Sequence, residues 1–221
     1  MGDVATGVRL SSSGIHLHDS YSGKMNDNRG IGMKIVGIMA GPRRKGMTAQ
    51  LYEEIVKEAA KNGNTIETVH IYDLDLAPCR GCNICRKEGA CVLKDDLAKV
   101  HSLLDAADAL VVASPTYWGN MTSPLKCLFD RSVFKFESFE TTVPKPLQKG
   151  KKAIIVTTCA SPYPLSHFRK HGGGAVHSIE VVLKSAGFKV VGTMIRPAAE
   201  KTDHLSEKDM ARASKLGRRL S

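Results

Sequence analysis

A chain of 221 residues that is 42% hydrophobic and 24% charged holds enough apolar material for one core and shows no compositional sign of global disorder. Its longest apolar stretches, Ala109-Leu-Val-Val-Ala113 and Ala153-Ile-Ile-Val156, fall far short of the roughly 20 residues that cross a bilayer, so no membrane span is expected. The formal net charge of +10 is spread over groups such as Arg43-Arg44-Lys45, Lys149 to Lys152 and Arg218-Arg219 without aromatic interleaving, which reads as solvated faces and not as a nucleic-acid surface.

Residues 1–32 are rich in Ser, Gly, Asn and Asp and carry no period, so they read as a flexible extension with no secretory signal. Residues 33–221 then read as one domain in which short apolar strands alternate with amphipathic helices. The first strand is predicted at Met33–Ala40, and the loop after it leads to a helix whose Leu51, Ile55 and Ala59 share one face. A second strand, Thr65–Tyr72, precedes a cysteine-rich loop at 79–91, and Asp95 or Asp96 can cap a second helix with Leu97, Val100, Leu104 and Ala107 on its buried side. His101 is expected on the solvent side of that helix, and Cys127 on the apolar face of the third, which starts near Ser123-Pro124. Strands three to five are predicted at Ala109–Ala113, Lys152–Thr158 and Lys189–Ile195. Residues 135–150 read as an excursion, Gly172-Gly173-Gly174 between His171 and His177 as a candidate lid, and 206–220 as the last helix.

Five strands and five helices with right-handed crossovers predict a flavodoxin-like doubly wound parallel sheet, order 2-1-3-4-5, with helices on both faces. Ligands of such sheets bind outside the carboxyl ends of the strands, so the loops after Ala40, Ala113 and Thr158 matter most.

The run Cys79-Arg-Gly-Cys82-Asn-Ile-Cys85-Arg-Lys-Glu-Gly-Ala-Cys91 packs four thiols into thirteen residues, close enough to enclose one metal centre. Gly81 and Gly89 supply the backbone angles a wrapped loop needs. The compact spacing favours a 4Fe-4S cluster, while zinc stays open as a second occupant. Clustered thiols also suit a reducing compartment, which predicts a cytoplasmic protein. In the loop after the first strand, Gly41 to Thr48 combines glycines, a hydroxyl and the cations Arg43, Arg44 and Lys45 ahead of a helix N-terminus, an arrangement that binds phosphate or makes an ordinary turn with Thr48 as cap. In the loop after the third strand, adjacent Tyr117 and Trp118 cannot both face one core, and Gly119-Asn120 offers backbone donors to a planar heterocycle such as a flavin.

Together these residues carry a resemblance. The first loop is similar to the G-S-P-R-x-x-G-N-T phosphate loop of the NADPH-dependent FMN reductase family, and Ser114-Pro115-Thr116-Tyr117 to its S-P-x-Y segment; with the cysteine run between them the chain most resembles the iron-sulfur flavoproteins of that family. The resemblance implies FMN, with its phosphate at Arg43, Gly46, Met47 and Thr48 and its ring against Pro115, Thr116, Tyr117, Trp118, Gly119 and Asn120. It also implies a cluster held by Cys79, Cys82, Cys85 and Cys91, and no side chain acting as nucleophile or general base. Gly41 stands where the family pattern has Ser, and Met47 where it has Asn. Function is then expected to be FMN-dependent electron transfer between flavin and cluster, with NAD(P)H or a ferredoxin-like protein as redox partner and a homodimer or homotetramer as the assembly. The competing readings are a cluster-free NAD(P)H-dependent FMN or quinone reductase and a zinc-stabilised flavodoxin-like binding module.

Overall fold

Strand residues alternate between two apolar layers, and that alternation decides which helices cover which face. The computed structural model describes residues 32–220, so the extension predicted at 1–32 lies, except for its last residue, outside the described residues. In chain order the elements are β1 (Lys34–Met39), α1 (Met47–Ala60), β2 (Thr65–His70), α2 (Ile84–Glu88), α3 (Leu97–Ala106), β3 (Ala109–Pro115), α4 (Ser123–Arg131), α5 (Val133–Phe136), β4 (Glu137–Ser138), β5 (Lys145–Pro146), β6 (Lys152–Thr158), α6 (Gly172–Ala186), β7 (Lys189–Arg196) and α7 (Glu207–Gly217).

The long strands form one parallel sheet, β2-β1-β3-β6-β7, which is the predicted order once the short β4–β5 ribbon is set aside. Along β1, β3 and β6, Val36, Ile38, Leu110, Val112, Ala153 and Ile155 face one layer with Leu97, Val100, Leu104, Leu125, Leu128 and Leu183 from α3, α4 and α6. Ile35, Met39, Val111, Ile154 and Val156 face the other, with Leu51, Tyr52, Ile55, Ala213 and Leu216 from α1 and α7. Both faces of the central strands are therefore dry, which is why these strands read as continuous apolar runs. Fully burying one such Leu or Ile contributes about 1.5–3 kcal/mol before the cost of chain ordering.

Two short features escaped the sequence. The excursion at 135–150 holds the β4–β5 ribbon, paired Glu137 to Pro146 and Ser138 to Lys145, and the cysteine loop holds the five-residue α2. Neither is long enough to show a period.

Gly37 in β1 is required by its neighbour. A Cβ there would stand 1.7 Å from the Tyr52 hydroxyl oxygen, which shares a 2.6 Å hydrogen bond with Thr68 across to β2. Gly37→Ala is expected to push the phenol out of its slot and lower stability by about 1–3 kcal/mol, read as a shift of the urea midpoint. An unchanged midpoint would mean that Tyr52 has room the packing does not show.

Candidate functional site

Because β1 and β3 are adjacent but their connections leave to opposite sides, a crevice opens at their carboxyl ends. The loop from Ala40 to Gly46 is pinned there: the Ala40 N–H donates to Ala113 O at 2.7 Å, and the Thr122 hydroxyl donates to Ala40 O at 3.1 Å. The first intrahelical bond of α1 runs from Gln50 N to Gly46 O, and the N-cap Gly46 makes no side-chain hydrogen bond. The N–H groups of Met47, Thr48 and Ala49 thus precede the helical ladder and, with the helix dipole, form an anion-binding end. Arg43, Gly46, Met47 and Thr48 line one cleft with Pro115, Tyr117 and Thr158. Thr158, at the end of the last of the three strands whose loops are expected to reach the ligand, joins them, and its hydroxyl lies 2.7 Å from that of Thr48. No motif marks it; its place at the end of β6, paired with Pro115, puts it there. At Gly41 the nearest atom to an added Cβ is the Met39 terminal methyl at 2.8 Å, the movable end of a flexible side chain, so packing alone does not demand glycine there. Arg44 turns away from the cleft into an ion pair with Asp73.

After Pro115 the chain makes a tight turn closed by Tyr117 N to Asn120 O and Asn120 N to Tyr117 O, both 3.0 Å. Trp118 (φ 53) and Gly119 (φ 70) occupy its left-handed centre. A left-handed Trp costs about 1–2 kcal/mol, and its side chain is fully exposed at 104%. Tyr117 borders the cleft, whereas Trp118 points to solvent at the turn tip and is not among the cleft residues. The Thr116 N–H is tied to Thr158 O at 2.8 Å, while its buried hydroxyl has no partner among the described residues. The turn rests on the start of α6, where the expected lid is instead closely packed. Cβ atoms at Gly172, Gly173 and Gly174 would each come within 2.8 Å of a backbone carbonyl, namely Ser166 O, His167 O and Arg169 O. These glycines serve close approach, not hinging.

The cysteine loop follows β2. Gly81 (φ 66) and Gly89 (φ 64) take the left-handed angles expected of them, and Asn83 (φ 57) adds a third. Cys79, Cys82, Cys85 and Cys91 all line one cavity of about 170 Å³, together with Leu93 and Arg131. Cys79 and Cys82 are exposed and Cys85 and Cys91 half-buried. Burial raises the Cys85 thiol pKa, and the neighbouring Cys91, Cys79 and Cys82 raise it further, so the four sulfurs feel one another electrostatically. Among the described residues no three His, Cys, Asp or Glu side chains converge tightly on a single-ion position. A basin walled by four thiols suits a polynuclear centre in size and donor chemistry.

Arg131, the last residue of α4, supports this loop from beneath, and nothing in its sequence context announced it. Its guanidinium grips Asp95 through both terminal nitrogens, with side chains 1% and 6% exposed. It also donates to Ala77 O at 3.0 Å, Leu93 O at 3.4 Å and Cys91 Sγ at 3.3 Å. Burial opposes charge on Asp95, but Arg131 and the N–H groups of Leu97 and Ala77 outweigh it and hold the carboxyl below its ordinary range. Asp95 therefore braces the loop as well as accepting from the Leu97 N–H at the head of α3. Cys127, expected as a small buried hydrophobe, is only half-buried and donates to Ala77 O at 3.2 Å.

His101 is a correction. It is 6% exposed, hydrogen-bonded to the Ser132 hydroxyl at 3.0 Å and edge-on to Phe134, because the α4–α5 corner folds over a helix face that reads as polar. Burial, then nearby Lys135, pushes its pKa down to about 4. The folded state prefers the neutral ring, so this contribution is complete above the unfolded value near 6.5 and is lost as pH falls toward 4. Stability should fall between pH 6.5 and 4 by about 2 kcal/mol more in the wild type than in His101→Gln, once solvent screening is discounted. Parallel urea-stability profiles of the two would contradict it.

The sequence model of the NADPH-dependent FMN reductase family matches residues 33–198. Among curated proteins, an iron-sulfur flavoprotein of Methanocaldococcus jannaschii is 38% identical over 100 residues, covering 45% of this chain and 52% of that protein. One from Archaeoglobus fulgidus is 27% identical over 192 residues, covering 86% and 79%. The chain thus spans about half the length of the first of these relatives. Among solved structures, an NAD(P)H:quinone oxidoreductase from Methanothermobacter marburgensis superposes with a TM-score of 0.67 at 21% identity, over 86% of this chain and all (100%) of that one, a likeness of fold.

Proposed function

The chain belongs to the NADPH-dependent FMN reductase family, and from that premise we propose that it is an FMN-dependent oxidoreductase whose cysteine basin holds a 4Fe-4S cluster in electronic contact with the flavin. When bound, FMN supplies two-electron chemistry that can be released one electron at a time, which matches a one-electron cluster. The residues provide binding and orientation. The first-turn N–H groups of α1, the Thr48 hydroxyl and Arg43 hold the phosphate, and Pro115, Thr116 and Tyr117 hold the ring edge, where the unpartnered Thr116 hydroxyl offers a donor. Trp118, Gly119 and Asn120 shape the turn that presents them.

The observation that carries the relay is the course of α4. It starts directly after the ring loop and ends at Arg131 beneath the thiols, so one helix of nine residues, about 12 Å between its ends, joins the two sites. Residues 33–221 act in this reading as one flavin-binding unit of a cytoplasmic protein. NAD(P)H or a small protein carrier delivers electrons, and the basic rim Arg80, Arg86 and Lys87 favours an acidic carrier. Trp118, Tyr163 and Phe168 are each exposed, and in this reading a second copy covers them in a homodimer or homotetramer.

Anaerobic purification followed by flavin, iron and sulfide analysis tests the proposal. FMN with about four irons per chain is expected. FMN without iron, with steady NAD(P)H oxidation, would replace it by a cluster-free reductase; zinc without flavin would replace it by a binding module.

A further inference from the structure

We infer that Arg131 is a positioning residue for the cysteine site, closing the loop and raising the reduction potential of the centre held there through its hydrogen bond to Cys91. The inference rests on the four-thiol reading of the basin. The case is geometric. The cysteine loop begins near Ala77 and ends at Leu93–Asp95, just ahead of α3, and Arg131 bonds both ends at once: Ala77 O at 3.0 Å on one side, Leu93 O at 3.4 Å and the Asp95 carboxylate on the other. Between those anchors its second terminal nitrogen lies 3.3 Å from Cys91 Sγ, the sulfur of the last cysteine in the run. No other hydrogen bond from a charged side chain reaches any of the four thiols among the described residues, so the donor singles out one corner of the basin. Arg131 is itself held from two directions, by the rigid end of α4 and by a carboxylate that also accepts from Ala77 N and Leu97 N. Only a planar fork can serve Asp95, two carbonyls and a sulfur together; a lysine offers one nitrogen for all of them.

A cation and hydrogen-bond donor beside a ligand thiolate stabilises the more negative, reduced state of a centre bound there, and hydrogen bonds to sulfur are a recognised control of cluster potential. Removing the donor should therefore make reduction harder. A differential loss of one charge-assisted hydrogen bond corresponds to about a tenfold change in the reduction equilibrium, or about 59 mV for a one-electron couple.

The test uses the holoprotein. Arg131→Lys retains a charge for Asp95 and withdraws the bond to Cys91, and the paired change Asp95→Asn with Arg131→Gln avoids leaving a buried carboxylate alone. Iron per chain, FMN per chain and the cluster potential by spectroelectrochemical titration are measured for each. The expected result is near wild-type FMN, iron that is retained or partly lost, and in retained clusters a potential lowered by about the tenfold step, with the flavin couple unmoved. Failure of both folded, flavin-loaded variants to take up iron also supports the loop-closing role. Full iron with an unmoved potential in both overturns the inference. A wild-type protein without iron instead removes the four-thiol reading beneath it, a separate result.

Discussion

Serine in place of Cys82 is expected to strip most of the iron from the protein while leaving FMN bound. Cys82 sits between Gly81 and the left-handed Asn83 on the exposed rim of the basin and, among the described residues, makes no hydrogen bond that a serine would break. The substitution therefore spares packing and removes one soft ligand, which a hydroxyl replaces poorly at an iron-sulfur centre. Iron should fall from about four per chain to well under half of that, with sulfide falling in step. The flavin should stay, because the phosphate loop and ring turn are anchored to β3, β6 and α6 and not to the cysteine loop. Cys127→Ser is the contrast: its thiol only donates to backbone carbonyls of Leu76 and Ala77, a role a hydroxyl can fill, so iron should be retained. If Cys82→Ser kept all its iron while Cys127→Ser lost it, the ligand set would have to be redrawn around the fifth thiol.

Much of the scaffold was legible because it depends on local periodicity. The three central strands, buried on both faces, leave unbroken apolar runs, and the order of loops along the chain then points to the crevice whatever the detailed packing. The place of Thr48 and Arg43 in the cleft was legible for the same reason, since a loop leading into a helix start is a local pattern. Arg131 was not, and Asp95 and Thr158 were legible only as a helix cap and as the end of a ligand-side strand, not as partners of Arg131 and Thr48. Each gains its role from a partner 36 to 110 positions away, and a single arginine at the end of an amphipathic helix looks like any solvated cation. His101 misled in the same way: the helix face it shares is polar by local count, yet the corner at Ser132–Phe134 closes over it. The triple glycine misled by composition. Three glycines in a row suggest mobility, but here each is dictated by a carbonyl lying where a Cβ would go.

That last point leads to the second large effect, at Gly174. In an exposed helix, replacing glycine by alanine stabilises by about 1 kcal/mol, because alanine has less backbone entropy to lose. At Gly174 the sign should reverse. The added Cβ would stand 2.0 Å from Arg169 O and 2.1 Å from Gly119 O, both backbone atoms that cannot rotate aside. Either the first turn of α6 moves or the Tyr117–Asn120 turn lifts, and the turn is the softer element, since it is held by only two cross-turn hydrogen bonds and strained at Trp118. Lifting it displaces Tyr117 from the cleft it shares with Thr48 and Thr158. Gly174→Ala should therefore lose about 1–3 kcal/mol of stability and weaken FMN binding by about tenfold or more. Gly63→Ala isolates the effect: its Cβ meets nothing within 4 Å but its φ is +81, so it should cost about 1 kcal/mol without touching FMN affinity. FMN titration by fluorescence quenching decides. A destabilised Gly174→Ala that still binds FMN as the wild type does would place the ring away from the 117–120 turn, and the flavin site would then have to be rebuilt around the phosphate loop alone.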